Sequence, residues 1–360
     1  MEIKKNRNYG LDIIRIGAMC GIIVLHIAGQ GGALAYSSGN NIRHWMIWWV
    51  EICAYCSVDL LAVLSGWLGI KQKKYSTYRI LELLSIVICY CIMLTLVFFF
   101  LGGHTLSKLD IVKSLVPFLF GRYWYITCYI PLAILKPFVN KMLLALSKIQ
   151  HKKLCIISIV IFTVLPVVFN QDFFYLNKGY SFVWLMICYT IGAYLKRTED
   201  KIRNKKINKI TIFMIFICMS IILLMIKAVY DRLFNTDGTY FIEYISPVVL
   251  LMAVVVLLST EQLKIKNGRI FSKISIVSFD VYIIHCHILV FDKIIYNQFE
   301  WIGEMPFFLI PVIILCLASL IYLLLSIIGI VRSIMFEKLY INSTLKKMAV
   351  IIDAIIYGDL

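Results

Sequence analysis

The sequence predicts an all-α polytopic membrane protein with about ten transmembrane helices and both termini in the cytoplasm. Two observations predict this fold class. Hydrophobic residues make up 61% of the 360 residues and charged residues only 16%, which is more apolar surface than a soluble core of this length can bury. The positive charge also alternates between the loops that join the apolar segments, as it does in proteins that cross a membrane repeatedly.

Apolar segments long enough to cross a bilayer, which takes about 20 residues per helix, occur along the whole chain. We place them at 11–29, 42–69, 79–101, 124–140, 154–170, 181–195, 211–228, 241–259, 275–292 and 307–331. The apolar stretch 111–120 is too short to span and predicts a re-entrant or interfacial segment. Residues 1–332 therefore form one membrane domain. The cytoplasmic tail, 333–360, is predicted to carry an amphipathic helix that lies on the inner leaflet.

Lysine and arginine distinguish the two sides of the membrane. With the N-terminus inside, the cytoplasmic segments hold 26 of the 36 basic residues and the opposite side holds eight. An even number of helices and a cytoplasmic C-terminus follow. The net charge of +16 is thus explained by topology, and the basic run from Lys196 to Lys209 predicts a loop beside anionic lipid. We expect no nucleic-acid partner.

The eleven cysteines lie mostly in apolar segments and show no spacing typical of disulfides or of zinc ligands, so no metal site is expected. The N-terminal region offers one alternative. A basic start, an apolar core and the sequence 33–35 together imitate a secretory signal with its cleavage site. Cleavage would remove Arg15 and His26, which are unusual in a signal core, and we therefore expect this helix to be retained.

Arg15 and His26 form the most informative pair of ionisable residues inside the predicted helices, where such groups are costly and indicate a site. They are eleven residues apart, about three turns, and so lie on nearly one helix face about 16 Å apart. Arginine suits phosphate, and histidine suits removal of a hydroxyl proton. Acyl-coenzyme A, with phosphates at one end and a thioester at the other, fits that separation. The alternatives are an Arg15 that snorkels to headgroups and a His26 that bonds a neighbouring helix.

Other polar positions lie on the second, third and ninth helices. Asp59 is predicted in mid-membrane, and Ser65 with the following glycine would let a backbone or a ligand approach closely. Arg79 begins the third helix on the side of Arg15, either as a second phosphate contact or as an ordinary cytoplasmic charge. The ninth helix carries a polar stripe that would line a pore or bond another helix, formed by Ser278, Tyr282 and His285.

Four motifs resemble a known family. They are Leu11-Asp12-Ile13-Ile14-Arg15 followed by ten residues and His26, Val58-Asp59-Leu60 with Leu64-Ser65-Gly66-Trp67, Tyr123-Trp124-Tyr125 with Tyr129 and Pro137, and the stretch from Ser278 to His285. Together with the ten-helix plan over most of the chain, they resemble the acyltransferase 3 family of integral-membrane acyltransferases, which typically modify bacterial cell-surface sugars.

The resemblance implies transfer of an acyl group, usually acetyl, to a hydroxyl of a cell-surface polysaccharide or glycolipid precursor at the bacterial plasma membrane. Cytosolic acyl-CoA would be the donor, and no permanently bound cofactor is implied. His26 would be the catalytic base, and Arg15 and Arg79 would contact the coenzyme. The cavity would be shaped by Asp12, Asp59, Ser65, Trp124, Tyr129, Tyr282 and His285.

The chain departs from the family pattern at two places. Its third helix begins Tyr78-Arg79-Ile80-Leu81-Glu82, without the arginine-rich cluster and proline often found there. Some relatives also carry a fused extracytoplasmic transfer domain, for which this chain has no segment. We therefore expect it to acylate the acceptor directly or through a separate extracytoplasmic partner, alone or as a homo-oligomer.

Two other classes of function stay open. A transporter or flippase for a lipid-linked sugar would use the same intramembrane charges as its pathway, although no two-half repeat is evident. A membrane sensor or anchoring module would be expected to carry a soluble domain, and none is recognisable.

Overall fold

A computed structural model describes residues 8–37, 39, 41–72, 76–101, 107–200, 208–234, 241–263, 265 and 268–357. Throughout these residues the regular structure is helical and contains no β-strand, which confirms the all-α class. Several of the basic residues used to predict topology, among them Lys4, Lys5, Arg7, Lys73, Lys74 and most of the run from Lys196 to Lys209, lie outside the described residues.

The α-helices are α1 (Tyr9–Leu25), α2 (Ala33–Tyr36), α3 (Ile42–Gly69), α4 (Tyr78–Leu101), α5 (Lys108–Leu115), α6 (Trp124–Ala145), α7 (Lys148–Ile159), α8 (Leu165–Phe169), α9 (Phe182–Arg197), α10 (Lys209–Phe234), α11 (Pro247–Glu261), α12 (Arg269–Ile276), α13 (Ser278–His285), α14 (Ile288–Val290), α15 (Ile310–Lys338) and α16 (Ile341–Tyr357). Three π-helical segments adjoin them: His26–Gln30, Val160–Val164 and Phe291–Ile295. Short 3₁₀ helices are formed by Pro117–Phe120, Asn177–Gly179 and Glu300–Glu304.

Seven helical segments in the described part of the chain are long and apolar enough to cross a membrane, or eight if one bent pair counts as a span. This confirms a polytopic membrane protein. The predicted spans 181–195 and 241–259 correspond to α9 and α11, which have 16 and 15 residues. Fifteen residues rise about 23 Å, less than the hydrocarbon core of about 30 Å. The total of ten spans and the cytoplasmic termini stay predictions.

Two of the predicted spans are interrupted helices. The first continues beyond 29 through the π-helical turn His26–Gln30 to Tyr36. The ninth, predicted as one segment at 275–292, breaks after α13, and its two halves meet at an angle of 67°. The backbone is extended at His287, which ends helical hydrogen bonding there. Both interruptions lie beside His26 and His285, and π-helical turns often occur at functional positions.

Helix α3 is the centre of the bundle and packs most extensively against α9 and α1. Its crossing with α9 depends on two glycines. A Cβ added at Gly66 would collide with the carbonyl oxygen of Tyr189, and one added at Gly192 would collide with that of Val63. The close approach predicted at Gly66 is therefore confirmed, and the partner is the backbone of α9.

The C-terminal helix α16 packs against α4 and α15. The Thr77 amide donates a hydrogen bond of 2.7 Å to Asp353, and the Tyr357 hydroxyl donates one of 3.2 Å to the carbonyl oxygen of Ile134. The helix predicted in the tail is thus present and contacts the start of α4 and the middle of α6. Its position on the inner leaflet stays a prediction.

Candidate functional site

A buried carboxylate holds Arg15 at the N-terminal end of α1. The Arg15 guanidinium contacts Asp12 Oδ1 at 3.0 Å, and the Ser275 hydroxyl donates to the same oxygen at 2.8 Å. Asp12 is 1% exposed, whereas 32% of the Arg15 side chain is exposed. The ion pair therefore fixes Arg15 to the bundle and leaves part of its guanidinium accessible at this end.

Tyr129 lies near both predicted coenzyme contacts, Arg15 and Arg79. Its hydroxyl lies within electrostatic range of both Arg15 and Arg79. Arg79 is exposed at the start of α4 and is also in range of Lys136, whose ammonium donates a 2.9 Å hydrogen bond to Gln72. The fold thus collects several basic side chains at one end of the bundle, where they could bind phosphate.

Aromatic side chains connect this basic end with His26. The rings of Tyr129 and Tyr125 are stacked with centroids 6.0 Å apart, and the Tyr125 centroid lies 6.3 Å from that of Tyr282. Tyr282 is 6.0 Å from His285, and His285 is 5.1 Å from His26. Three helices, α1, α6 and α13, supply this line. The line runs from the end of the bundle that holds Arg15 to the end that holds His26.

His26 is half-buried at the first position of the π-helical turn. Its Nδ1 is buried and has no hydrogen-bond partner among the described residues. The imidazole packs against the rings of His285 and Phe291, with centroids 5.1 and 5.4 Å away. A histidine with an unused ring nitrogen beside a cavity can accept a proton from a substrate hydroxyl.

His285 is fully buried and has a fixed orientation. Its Nδ1 lies 2.6 Å from the carbonyl oxygen of Val281, and because a carbonyl only accepts, Nδ1 carries the proton. Nε2 is then the basic nitrogen, 3.4 Å from Cys286 Sγ. The His285 ring is therefore neutral, and its packing against His26 holds the His26 ring in place.

His26, His285 and Cys286 form the one group of potential metal ligands found among the described residues. Their ligand atoms lie within 4.8 Å of one another, and two imidazoles with a thiol are a donor set that zinc accepts. The expectation of no metal, drawn from cysteine spacing, stays a prediction. The same geometry suits a histidine base beside a histidine that orients it, which requires no ion.

Asp59 lies deep in α3 and is 0% exposed. Its Oδ1 accepts a 2.8 Å hydrogen bond from Trp184 Nε1, whereas Oδ2 is buried without a partner in the described part of the chain. Its charge is within range of Tyr125 and Tyr244. Asp59 therefore adjoins the aromatic line, as expected of a residue that shapes the cavity.

The two remaining predicted residues lie at opposite ends of the bundle. Trp124 begins α6, with its ring centroid 4.6 Å from Tyr180 and 6.1 Å from Tyr244. The Ser65 hydroxyl donates a 2.6 Å hydrogen bond to Ala62 in its own helix, at the crossing of α3 with α9. The structure therefore does not bring Ser65 together with His26.

Two basic residues that the charge count placed in loops are buried instead. Arg332 forms two hydrogen bonds of 2.7 and 2.8 Å with Asp280, which also accepts one of 2.8 Å from Tyr90. Lys227 is 1% exposed, contacts Asp231 at 2.9 Å and lies over the Trp48 ring at 4.1 Å. Their assignment as loop charges was wrong, because both lie in helices, where the buried Asp280 and the half-buried Asp231 offset the cost of placing them inside the bundle.

The family model described as "Acyltransferase domain" matches residues 8–328. This stretch includes α1 to α14 and most of α15, and therefore Arg15, His26 and the whole aromatic line. Searches of curated proteins and of solved structures find no match.

Proposed function

The chain belongs to the acyltransferase-domain family, and from this premise we propose that it moves an acyl group, with acetyl as the proposed group, from cytosolic acyl-CoA to a hydroxyl of a carbohydrate on the opposite side of the membrane. The acceptor would be a cell-surface polysaccharide or a glycolipid precursor, and the membrane would be the plasma membrane of a bacterium. The runner-up is a transporter or flippase for a lipid-linked sugar, which would need no acyl donor.

The observation that carries the proposal is the continuous line of side chains from Arg15 and Arg79 through Tyr129, Tyr125 and Tyr282 to His26. The guanidinium groups would bind the coenzyme phosphates at the cytoplasmic end. The aromatic side chains would contact the pantetheine arm, and the thioester would reach His26. Arg15 and His26 are about 16 Å apart along the helix axis, so one extended donor can contact both.

In the proposed acyl transfer, a ring nitrogen of His26 accepts a proton and later returns it. His26 removes the proton of the acceptor hydroxyl as that oxygen attacks the thioester carbonyl. The tetrahedral intermediate collapses, the carbon–sulfur bond breaks, and the departing coenzyme thiolate takes the proton from His26. His285 does not exchange protons in this scheme; it keeps the His26 ring oriented by packing against it.

The direct test uses purified protein in lipid nanodiscs with acetyl-CoA labelled in the acetyl group and methyl glycosides as acceptors, and measures release of free coenzyme thiol as the acetyl group passes to the acceptor hydroxyl. We expect His26→Ala to abolish thiol release because His26 is the half-buried histidine of the line and its Nδ1 has no hydrogen-bond partner among the described residues. His44→Ala is the matched control, since His44 lies outside the line and bonds Trp48. Full activity in His26→Ala would contradict the assigned base.

A further inference from the structure

A second aromatic cluster, formed by Tyr55, Trp124, Tyr180 and Tyr244, is not used in the transfer described above. The ring centroids of Trp124 and Tyr180 are 4.6 Å apart, those of Tyr180 and Tyr244 are 5.0 Å apart, and those of Tyr55 and Tyr244 are 5.6 Å apart. The cluster joins α3, the first residue of α6 and the segments just before α9 and α11. Four parts of the chain therefore converge here.

Glu51 lies beside this cluster and next to the turn that carries His26. It is 6% exposed, and its Oε2 is buried without a hydrogen-bond partner among the residues described. A Cβ added at Gly29, three residues after His26, would lie 3.4 Å from Glu51 Oε1. The carboxylate is within electrostatic range of Lys227, Glu243 and Tyr180. A buried carboxylate oxygen is costly unless something donates to it.

The two aromatic groups meet in one ring around a common region. The centroid of Trp124 is 5.7 Å from that of Tyr125, which belongs to the line leading through Tyr282 and His285 to His26. On the other side, Glu51 connects Tyr180 with Gly29 and so with His26. The cluster, Glu51 and His26 thus form one group of neighbouring side chains contributed by different helices.

Resting on the acyl transfer proposed above, we propose that these side chains form the acceptor subsite and that it binds a pyranose ring. The faces of Trp124 and Tyr180 pack against the apolar C–H face of the sugar. Glu51 Oε2 accepts a hydrogen bond from one hydroxyl, and a nearby hydroxyl points to His26. A few polar groups among apolar walls are typical of small-molecule sites.

The alternative explanation for this cluster is the aromatic belt found where membrane proteins meet the headgroups. A belt turns its rings toward lipid. Here Tyr244 is only 5% exposed, its ring packs against those of Tyr180 and Trp124, and a carboxylate with an unpartnered oxygen in the described chain lies alongside. These contacts indicate a built site facing the bundle.

The test is saturation-transfer NMR on the full chain in nanodiscs, without acyl-CoA. The probes are the methyl glycosides of glucose, galactose, mannose and N-acetylglucosamine, and the acyclic polyol glucitol is the negative probe. We expect transfer to the ring protons of at least one pyranoside and none to glucitol. Glu51→Gln and Trp124→Leu should each weaken that binding about tenfold, the effect of losing one charged hydrogen bond or one stacking face.

Glu300→Gln and Trp301→Leu are the matched controls, because both residues lie in the 3₁₀ helix near α2 and outside the ring, and both should bind as the unaltered chain does. If Trp124→Leu is not monodisperse, Tyr180→Leu replaces it, since Tyr180 is 36% exposed. Equal signals from glucitol and the pyranosides, or unchanged binding in Glu51→Gln, would overturn the subsite. Thiol release from acetyl-CoA is measured separately, so a failure of the subsite is distinguishable from a failure of acyl transfer.

Discussion

At the scale of single residues, the structure explains how ionisable groups are kept inside an apolar bundle. Asp12 is paired with Arg15, and Asp280 with Arg332, through bonds of 2.7 to 3.0 Å. His26 Nδ1, Glu51 Oε2 and Asp59 Oδ2 differ, because they are buried without partners in the described chain. Paired groups stabilise the bundle, whereas the unpaired atoms are the ones available to substrates.

Removal of the Arg15 side chain should weaken donor binding selectively. We expect Arg15→Ala to raise the KM for acetyl-CoA about tenfold, since it loses one charge-assisted contact to phosphate. The KM for acetyl-pantetheine, which lacks the phosphates of the coenzyme, should be unchanged. Initial rates of thiol release give both values. Lys148→Ala is the control, as Lys148 lies outside the site at the start of α7. An equal effect on both donors would exclude a phosphate contact.

At this scale the sequence was informative but incomplete. Arg15 and His26 stood out because spacing on one helix gives both direction and separation without tertiary information. Arg332 could not be assigned correctly, since its carboxylate partner lies on another helix. The partner of Lys227 is only four residues further along the same helix, but the burial of Lys227 depends on how that helix packs. The aromatic line and the position of Glu51 also depend on how α1, α3, α6 and α13 pack, which local periodicity does not determine.

At the scale of secondary structure, hydropathy located the helices well. The predicted span 42–69 has the same limits as α3, and 79–101 differs from α4 by one residue. It could not predict the π-helical turn at His26 or the 67° break after His285, because both arise from packing rather than from composition. The crossing of α3 and α9 is an exception, since a glycine in a small-residue pair is visible in sequence.

That crossing gives a prediction for folding. We expect Gly66→Ala to lower the thermal stability of the purified protein and its yield in membranes, because the new methyl group would collide with the backbone of α9, which cannot shift without repacking. Gly17→Ala is the control, as a Cβ there meets no atom within 4 Å. A fluorescence-detected melting curve compares the two. Equal melting midpoints for the two variants would show that α3 and α9 can move apart without loss of stability.

At the scale of the whole molecule, the polytopic helical fold is established, and its orientation is the main open prediction. The charge count assigns Lys108, Lys113 and Lys293 to the outside and Lys152, Lys153 and Lys346 to the cytoplasm. The asymmetry of basic residues survives the two wrong assignments. Moving Arg332 and Lys227 into helices removes one basic residue from the cytoplasmic side and one from the outer side.

Orientation can be measured with a membrane-impermeant amine reagent on right-side-out vesicles, followed by peptide mass spectrometry. We expect modification of Lys108, Lys113 and Lys293, whereas Lys152, Lys153 and Lys346 should react only after the vesicles are opened. Five of the six are exposed and Lys113 is half-buried, so accessibility across the membrane is the main variable that differs. The reverse pattern would invert the topology and place His26 nearer the cytoplasm.

The central claim is that one site spans the bundle from a cytosolic donor to an acceptor on the other side. Proteoliposomes of determined orientation test it most directly, with labelled acetyl-CoA on the cytoplasmic face only and a pyranoside identified by binding on the opposite face only. The account predicts acetylated pyranoside on the acceptor side, at a rate that His26→Ala reduces to background. Labelled product that forms only when donor and acceptor share one compartment would contradict it.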